Sequence, residues 1–596
     1  MKKQLPKRHE LDVKYTWNMA NLFKDETSYE KAFEEVLKDV DHFCKTFENH
    51  LSSAKIINEA LEMYQDIQAR LVRLGAYASL QSSTDSLSES NQMRQGKAMI
   101  RFQGVSKKMA FFSSALLQTD DALLKEASSL NAEHANYLEE VIKDKKHALS
   151  PDVEVSLVAL SPVLNAPYVN YNRFKLADMS FDDFEVEGVT YPNSFTLFEN
   201  EYQQDTNTEV RRKAYETFYQ KLASYQHGFA SNYYAHLQKE KVMSELRGFD
   251  SVYDYLLDGQ KVPKSLMDRQ IDVIMDKLAP AMRRYAKLLQ NIHGLDKMTY
   301  ADLKIPVDPT FEHEVTIEGS KKWLQDGLAV LGSEYQEIVN KSFDERWIDF
   351  PQNHGKSTGG FCSSPYGASS YILINWNGQM DEVMVLAHEI GHAGHFQYAN
   401  AHQQLLNTRP SMYFIEAPST TNELLMANHL IKHASSAREK RWIQSITISR
   451  TYYHNFVTHL LEAAFQREVY DRMDQKQPLS AHGLNALKVG VLRKFWGDAV
   501  EIPDWAGLTW MRQPHYFMGL YPYTYSAGLT LGTKVARMIE DNVIKPEAWI
   551  DVLKAGGTKT PMELAQMVGV DLTTDQVLEE VIESITKTID DIIQSV

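Results

Sequence analysis

The chain has 596 residues, 43% hydrophobic and 24% charged, proportions that exclude a disordered, collagenous or fibrous chain and leave room for about three to six structural units. Sixty-three Lys and Arg against 79 Asp and Glu give a formal net charge of −16, the wrong sign for a nucleic-acid or membrane-surface partner. Only Cys44 and Cys362 occur, no signal-peptide-like apolar stretch follows Met1-Lys-Lys-Gln-Leu-Pro, and no 18-residue apolar run exists, so the expectation is a soluble protein of a reducing, cytoplasmic compartment.

From Tyr29 to about Asn165 apolar residues recur at spacings of three and four, as in Phe33, Val36, Leu37, Val40 and Phe43, which predicts successive amphipathic helices. The short alternating runs from Phe174 to Met179 and from Phe184 to Tyr191 predict a β-hairpin near 174–191. Thr208 to about Leu246 contains no proline and predicts one long helix, ended by Gly248. Pro306, Pro309 and the stretch to Ile317 read as a connector, and Phe350 to Gly360 as a loop. Tyr371 to Asn377 reads as a short strand ending at Asn-Gly. Beyond Asp381, a candidate N-cap, nearly everything is helical again, and no repeat or low-complexity tract interrupts it. The fold class is mostly α with a small β element.

The helix opening near Asp381 carries His388-Glu389-Ile-Gly-His392. Imidazoles four residues apart leave one helical face and can grip a single Zn²⁺, with Glu389 placed to act on a water at the metal. A catalytic zinc site needs a third protein ligand and an open position. The H-E-x-x-H-x-x-G-x-x-H alternative fails, because His395 and Tyr398 stand where it requires Gly and His. A carboxylate on a following helix remains, with Glu416 and Glu423 as candidates seven residues apart, Glu416 being preferred. Glu423 is then either a carboxylate orienting a ligand His or a solvated charge, and His395 reads as a structural histidine.

The stretch Leu386 to His395, followed by Ile415-Glu-Ala-Pro-Ser419, resembles the thimet oligopeptidase and oligoendopeptidase F family of zinc metallopeptidases, with oligoendopeptidase F the nearer branch. The likeness extends to Gly355-Lys-Ser-Thr-Gly-Gly-Phe-Cys362, to Ile-Leu-Ile-Asn-Trp before the helix and to the Tyr-rich stretch near the C-terminus. It covers most of 205–585; the N-terminal helices match in pattern only. The resemblance implies one Zn²⁺ per chain held by His388, His392 and Glu416, with Glu389 as the catalytic carboxylate. It implies a mostly helical clamshell with a deep central channel and a small β-sheet beside the zinc helix. Residues 1–204 would form an N-terminal helical domain and 205–596 the catalytic domain.

A zinc peptidase also needs hydrogen-bond donors aimed at the oxyanion that forms on the scissile carbonyl. The run from His515 to Gly528 offers His515, Tyr521, Tyr523 and Tyr525. By the resemblance His515, Tyr521 and Tyr525 face the substrate, and Tyr523 reads as a packing residue. Gly528 stands where thimet-type members carry a further Tyr, which leaves the division of labour among the others open. The strand from Tyr371 could pair with an extended peptide or be an ordinary buried strand, and Gly359 and Gly360 could admit a close backbone approach or make a turn. Gly355-Lys-Ser357 is not a phosphate loop, since Phe350 occupies the position of its first glycine.

The expected activity is therefore zinc-dependent hydrolysis of internal bonds in short unstructured peptides, with no nucleic-acid or membrane partner. The alternatives are a helical clamshell zinc carboxypeptidase or dipeptidase, a non-catalytic peptide-binding protein of the same shape, and a purely structural helical scaffold.

Overall fold

The computed structural model describes residues 5–596, so the Met1-Lys-Lys-Gln start lies outside the described residues. In chain order its main elements are helices α1 (Glu26–Phe47), α2 (Ala54–Thr84) and α3 (Glu89–Gln118). Strands β1 (Phe184–Val186) and β2 (Val189–Tyr191) follow, then helices α4 (Thr208–Leu246) and α5 (Ser333–Asp344). Three short strands come next: β3 (Ile348–Asp349), β4 (Phe361–Ser363) and β5 (Tyr371–Leu373). The remainder is dominated by α6 (Met380–His402), α7 (Ala417–His433), α8 (His459–Asp474), α9 (Ala481–Trp496) and α10 (Pro522–Glu540).

Local signals account for most of these boundaries. The Asp25 carboxylate accepts from the Ser28 amide at 2.8 Å and opens α1 with a capping box, and Tyr29, Phe33, Val36, Val40, Phe43 and Phe47 then bury one face. The predicted 39-residue α4 is present from Thr208 to Leu246, about 58 Å long at 1.5 Å per residue. Asn207 caps it by accepting from the amides of Glu209 and Val210, and Gly248, at φ 72°, ends it.

The hairpin is shorter than the alternation suggested. Only 184–191 pairs, with Val186 opposite Val189 around a two-residue turn in which Glu187 and Gly188 both have positive φ, the mirror-image turn that matches strand twist. Residues 174–178 form a π-helical turn instead. The Phe174 amide already bonds the carbonyls of Asn170 and Tyr171, so the preceding helix continues through the first alternating run.

Compactness divides the chain into two units of three segments each: 1–161, 314–410 and 539–568; and 162–313, 411–538 and 569–596. A single cut at 204/205 follows where the peptidase-like motifs begin, whereas these units follow how the chain packs.

In the first unit α1, α2 and α3 share a core with Tyr371 and Leu373 of β5. The sheet order is β3-β5-β4, with β5 parallel to β3 and antiparallel to β4. The strand expected over 371–377 thus spans only 371–373, and it is the central strand, with both hydrogen-bonding edges taken by the protein itself. Beyond it, the Ile374 and Trp376 amides still bond the carbonyls of Asp349 and Phe350. The outer strand on the α6 side is β4. Helix α6 begins at Met380 after Gln379, not at an Asp381 cap; Asp381 and Glu382 instead occupy its first turn, where carboxylates oppose the helix dipole. Helix α5 crosses α6 at Gly394, where a Cβ would lie 2.5 Å from the Tyr335 hydroxyl oxygen, and that hydroxyl donates to the Ile390 carbonyl.

Asp349 of β3 is fully buried between Arg8, which donates to both its oxygens, and Lys356 at 2.7 Å. Burial by itself would raise its pKa, but the guanidinium and ammonium outweigh it and hold the carboxyl below its usual range. A depressed folded pKa means the contribution is complete above about pH 4 and is lost as pH falls through the folded value. Replacing Asp349 by Asn leaves Lys356 buried and uncompensated, and is expected to cost about 3–5 kcal/mol in urea unfolding at neutral pH.

Candidate active site

Helix α6 projects His388 and His392 from one face, with ring centroids 4.9 Å apart and ring planes at 81°. Glu389 between them is buried. The loop before β4 closes over it: a Cβ on Gly360 would sit 3.1 Å from Glu389 Oε1, whereas one on Gly359 would meet nothing. The two glycines therefore differ, Gly359 making the turn at φ 79° and Gly360 permitting the close approach. Burial and the Glu389 carboxylate push the Cys362 thiol up, so it stays protonated. His395 is fully buried, stacks on Phe396 and is pushed down to about 3 by burial, which makes it a neutral packing residue.

In the second unit Glu416 occupies the N-cap position of α7 and is buried. Its two oxygens are held separately: Oε1 accepts from the Tyr521 hydroxyl at 3.0 Å and Oε2 from Ser419 at 2.9 Å. Helix α10 can reach it because of glycine. A Cβ on Gly528 would lie 2.6 Å from Glu416 Cβ, and one on Gly532 would lie 2.5 Å from Thr420 Oγ1. No tyrosine could stand at 528 in this packing, which is the physical basis of the departure noted there. Glu423 is half-buried and accepts from Thr451 at 2.6 Å, so it is not a plain solvated charge.

The remaining candidates meet a group that sequence reasoning missed. A π-helical stretch, Thr447–Thr458, runs into α8 and brings His454 within 3.1 Å of His459; such stretches recur at functional sites. His459 Nδ1 lies 2.7 Å from Glu462 Oε2. A carboxylate can only accept, so the proton is on Nδ1. His515 Nδ1 lies 4.0 Å from the same oxygen. The Tyr525 hydroxyl is 3.5 Å from His515 Nε2, and its ring stacks on His459 at 4.0 Å. Burial would raise the Glu462 pKa, but His459, His515 and the Lys488 ammonium outweigh it and keep the carboxylate ionised. Burial pushes His459 down, toward its neutral form. Tyr523 points elsewhere: it is buried and donates to Gln260. The signal available in the sequence was His459-x-x-Glu462, an i, i+3 pair on a predicted helix.

The described residues offer two candidate donor sets: His388 and His392 of the first unit with Glu416 of the second, and His459, Glu462 and His515, gathered within the second unit. The first combines two imidazoles with one carboxylate, the donor set of a catalytic zinc centre, and both carboxylate oxygens already have an orienting donor. In the second, both ring nitrogens of His459 are already engaged, Nδ1 by Glu462 and Nε2 by His454.

The packing at Gly528 gives a paired expectation. Gly528→Ala should lower the thermal midpoint, at a cost of about 1–3 kcal/mol, because the methyl group cannot be accommodated. Gly490→Ala, in α9, where a Cβ meets nothing within 4 Å, should be neutral or stabilising by up to about 1 kcal/mol.

Comparison with known proteins accords with this geometry. The family model described as peptidase family M3 matches residues 201–584, and that described as oligopeptidase F matches 116–181. Oligopeptidase PepF of Bacillus subtilis is 26% identical over 585 residues, covering 97% of this chain and 86% of its own. Group B oligopeptidase PepB of Streptococcus agalactiae is 26% identical over 588 residues, covering 96% and 95%. The crystal structure of oligoendopeptidase F from Enterococcus faecium shares the fold, with a TM-score of 0.76 at 20% identity over 96% of this chain and 99% of that one. With more than half its length matched, the chain belongs to peptidase family M3 and is a metalloendopeptidase of the oligoendopeptidase F kind.

Proposed function

We propose that this protein is a zinc-dependent endopeptidase acting on short unstructured peptides in the cytoplasm. His388, His392 and Glu416 hold one Zn²⁺, and Glu389 serves as the proton carrier. The observation that carries this reading is the preparation of Glu416: a buried carboxylate with each oxygen held by a separate hydroxyl is a ligand fixed before the metal arrives. The match of the family model to 201–584 supports placing catalysis in 205–596. The names of the relatives support short substrates. Two free cysteines fit a reducing compartment, and no helix among the described residues is long and apolar enough to cross a membrane.

When bound, Zn²⁺ supplies Lewis acidity to the scissile carbonyl and to the attacking water. Glu389 takes one proton from that water as its oxygen bonds to the carbonyl carbon, and returns the proton to the amine nitrogen as the C–N bond breaks. The loop over Glu389, with Gly360 against its carboxylate, limits water around the proton being held. The Tyr525 hydroxyl and His515 Nε2, 3.5 Å apart, form a pair of donors for the oxyanion. Tyr521 lies beside this pair, with its ring 5.1 Å from that of Tyr525, but spends its hydroxyl on Glu416 and so positions a ligand.

An internally quenched peptide of about ten residues with both ends blocked should be cut internally, and a zinc chelator should abolish the cutting. Intact peptide in the presence of one zinc per chain would move the reading to an exopeptidase or a binding protein. Glu389→Gln should retain zinc yet lose about 10²–10⁴ in kcat; near-normal turnover would remove Glu389 from its role. Tyr525→Phe should lower kcat about 10²-fold with little change in KM, whereas Tyr521→Phe should weaken zinc retention about 10–100-fold in chelator competition.

A further inference from the structure

We propose that the buried Glu462 carboxylate positions the two oxyanion donors, acting on Tyr525 and His515 through the neighbouring His459 and through its own charge. This rests on the peptidase reading and deepens it, by adding a rank of side chains behind the donors.

The two ranks lie within the second unit. Tyr525 and His515 are half-buried, whereas His459 and Glu462 behind them are only 1% and 4% exposed. His459 supports Tyr525 face to face, with ring centroids 4.0 Å apart and planes 14° from parallel, and meets the His515 ring edge-on at 4.9 Å. Its own orientation is set by Glu462, three residues on along α8, whose Oε2 accepts from His459 Nδ1 at 2.7 Å. The same oxygen lies 4.0 Å from His515 Nδ1. One carboxylate oxygen therefore faces both imidazoles that flank Tyr525. With the Nδ1 edge of His515 toward that charge, Nε2 is turned to the Tyr525 hydroxyl at 3.5 Å.

The direction of the proton chain follows from what each atom can do. An ionised carboxylate only accepts, so the neutral His459 carries its proton on Nδ1 and presents a bare Nε2. His454 Nε2, 3.1 Å away, is then the donor. Bringing these two rings together takes the π-helical stretch. Residues five apart on an α-helix diverge by about 140°, but here the His459 amide bonds the His454 carbonyl, the five-residue bond of a π-helix, which sets the two side by side. The chain runs from the exposed His454 through His459 to the buried Glu462, with its one charge at the closed end. A neutral group at 462 could donate as well as accept, and His459 could then carry its proton on either nitrogen.

Neutron diffraction from crystals of the full-length wild-type protein at about pH 7 reads the proton order without any cleavage. Protons on His459 Nδ1 and His454 Nε2, and none on Glu462, are expected; a proton on Glu462 or on His459 Nε2 overturns the proposal. Kinetics read the consequence. Glu462→Gln keeps the shape and an acceptor for His459 but removes the charge, and should lower kcat about 10–100-fold, with KM changed less than about threefold and zinc retained. A packing role alone would be rescued by Gln, so wild-type kcat in this variant overturns the proposal, as does a fall in kcat that merely tracks lost zinc or lost folded protein. If Glu462→Gln fails to fold, His459→Asn, which keeps a donor toward Glu462 but removes the ring against Tyr525, should separate kcat from KM in the same way, and wild-type kcat there overturns the proposal. A wild-type protein with the expected proton order that cuts no peptide would overturn the peptidase reading and the positioning role with it, whereas an active peptidase with the wrong proton order would overturn the positioning role alone.

Discussion

Burying the Glu416 carboxylate with a donor for each oxygen is the constraint from which the arrangement of the second unit follows. A carboxylate taken out of water must be paired or it neutralises. The chain solves this by setting Glu416 at the N-cap of α7, where Ser419 three residues on can reach Oε2, and by laying α10 against it so that Tyr521 reaches Oε1. That second contact requires the backbones to approach within the space a methyl group would fill. Gly528 and Gly532, one turn apart on α10, provide it.

The same rule recurs at each buried charge. Asp349 sits between Arg8 and Lys356, and Asp302 is clasped by Arg211 and Arg212, with Arg211 and Asp302 both fully buried. Glu462 holds His459 and faces His515. Such pairs add little net stability compared with apolar packing, but removing one partner is costly, so they fix geometry. Lys488, almost fully buried, adjoins the Glu462 carboxylate in the lining of one cavity and helps to keep it ionised.

Much of the fold was legible because its signals are local. The bounds of the long helix from Thr208 to Leu246 follow from an Asn cap, an unbroken run and a glycine stop. The His388-Glu389-x-x-His392 spacing places both imidazoles on one face for the same reason, since a helix converts sequence separation directly into geometry. Legibility declined where two local tendencies compete. The alternation beginning at Phe174 looked like a strand, but the preceding helix already held the Phe174 amide. The apolar run at Tyr371 signalled burial correctly, yet nothing in it could show that both edges were taken, because β3 and β4 come from 23 and 10 residues upstream.

By itself the sequence determined the helix that carries the paired histidines, the identity of the intervening carboxylate, the absence of a metzincin third histidine and the mostly helical class, all consequences of spacing along one element. Tertiary structure alone decided which tyrosine serves which partner: Tyr521 on Glu416, Tyr523 on Gln260 and Tyr525 beside His515. It also recruited His454, His459 and Glu462. Residues spaced by two and four on a single helix differ in direction by nearly opposite and nearly equal angles, so their environments are set by whatever packs on each face, and that is fixed by segments hundreds of residues away.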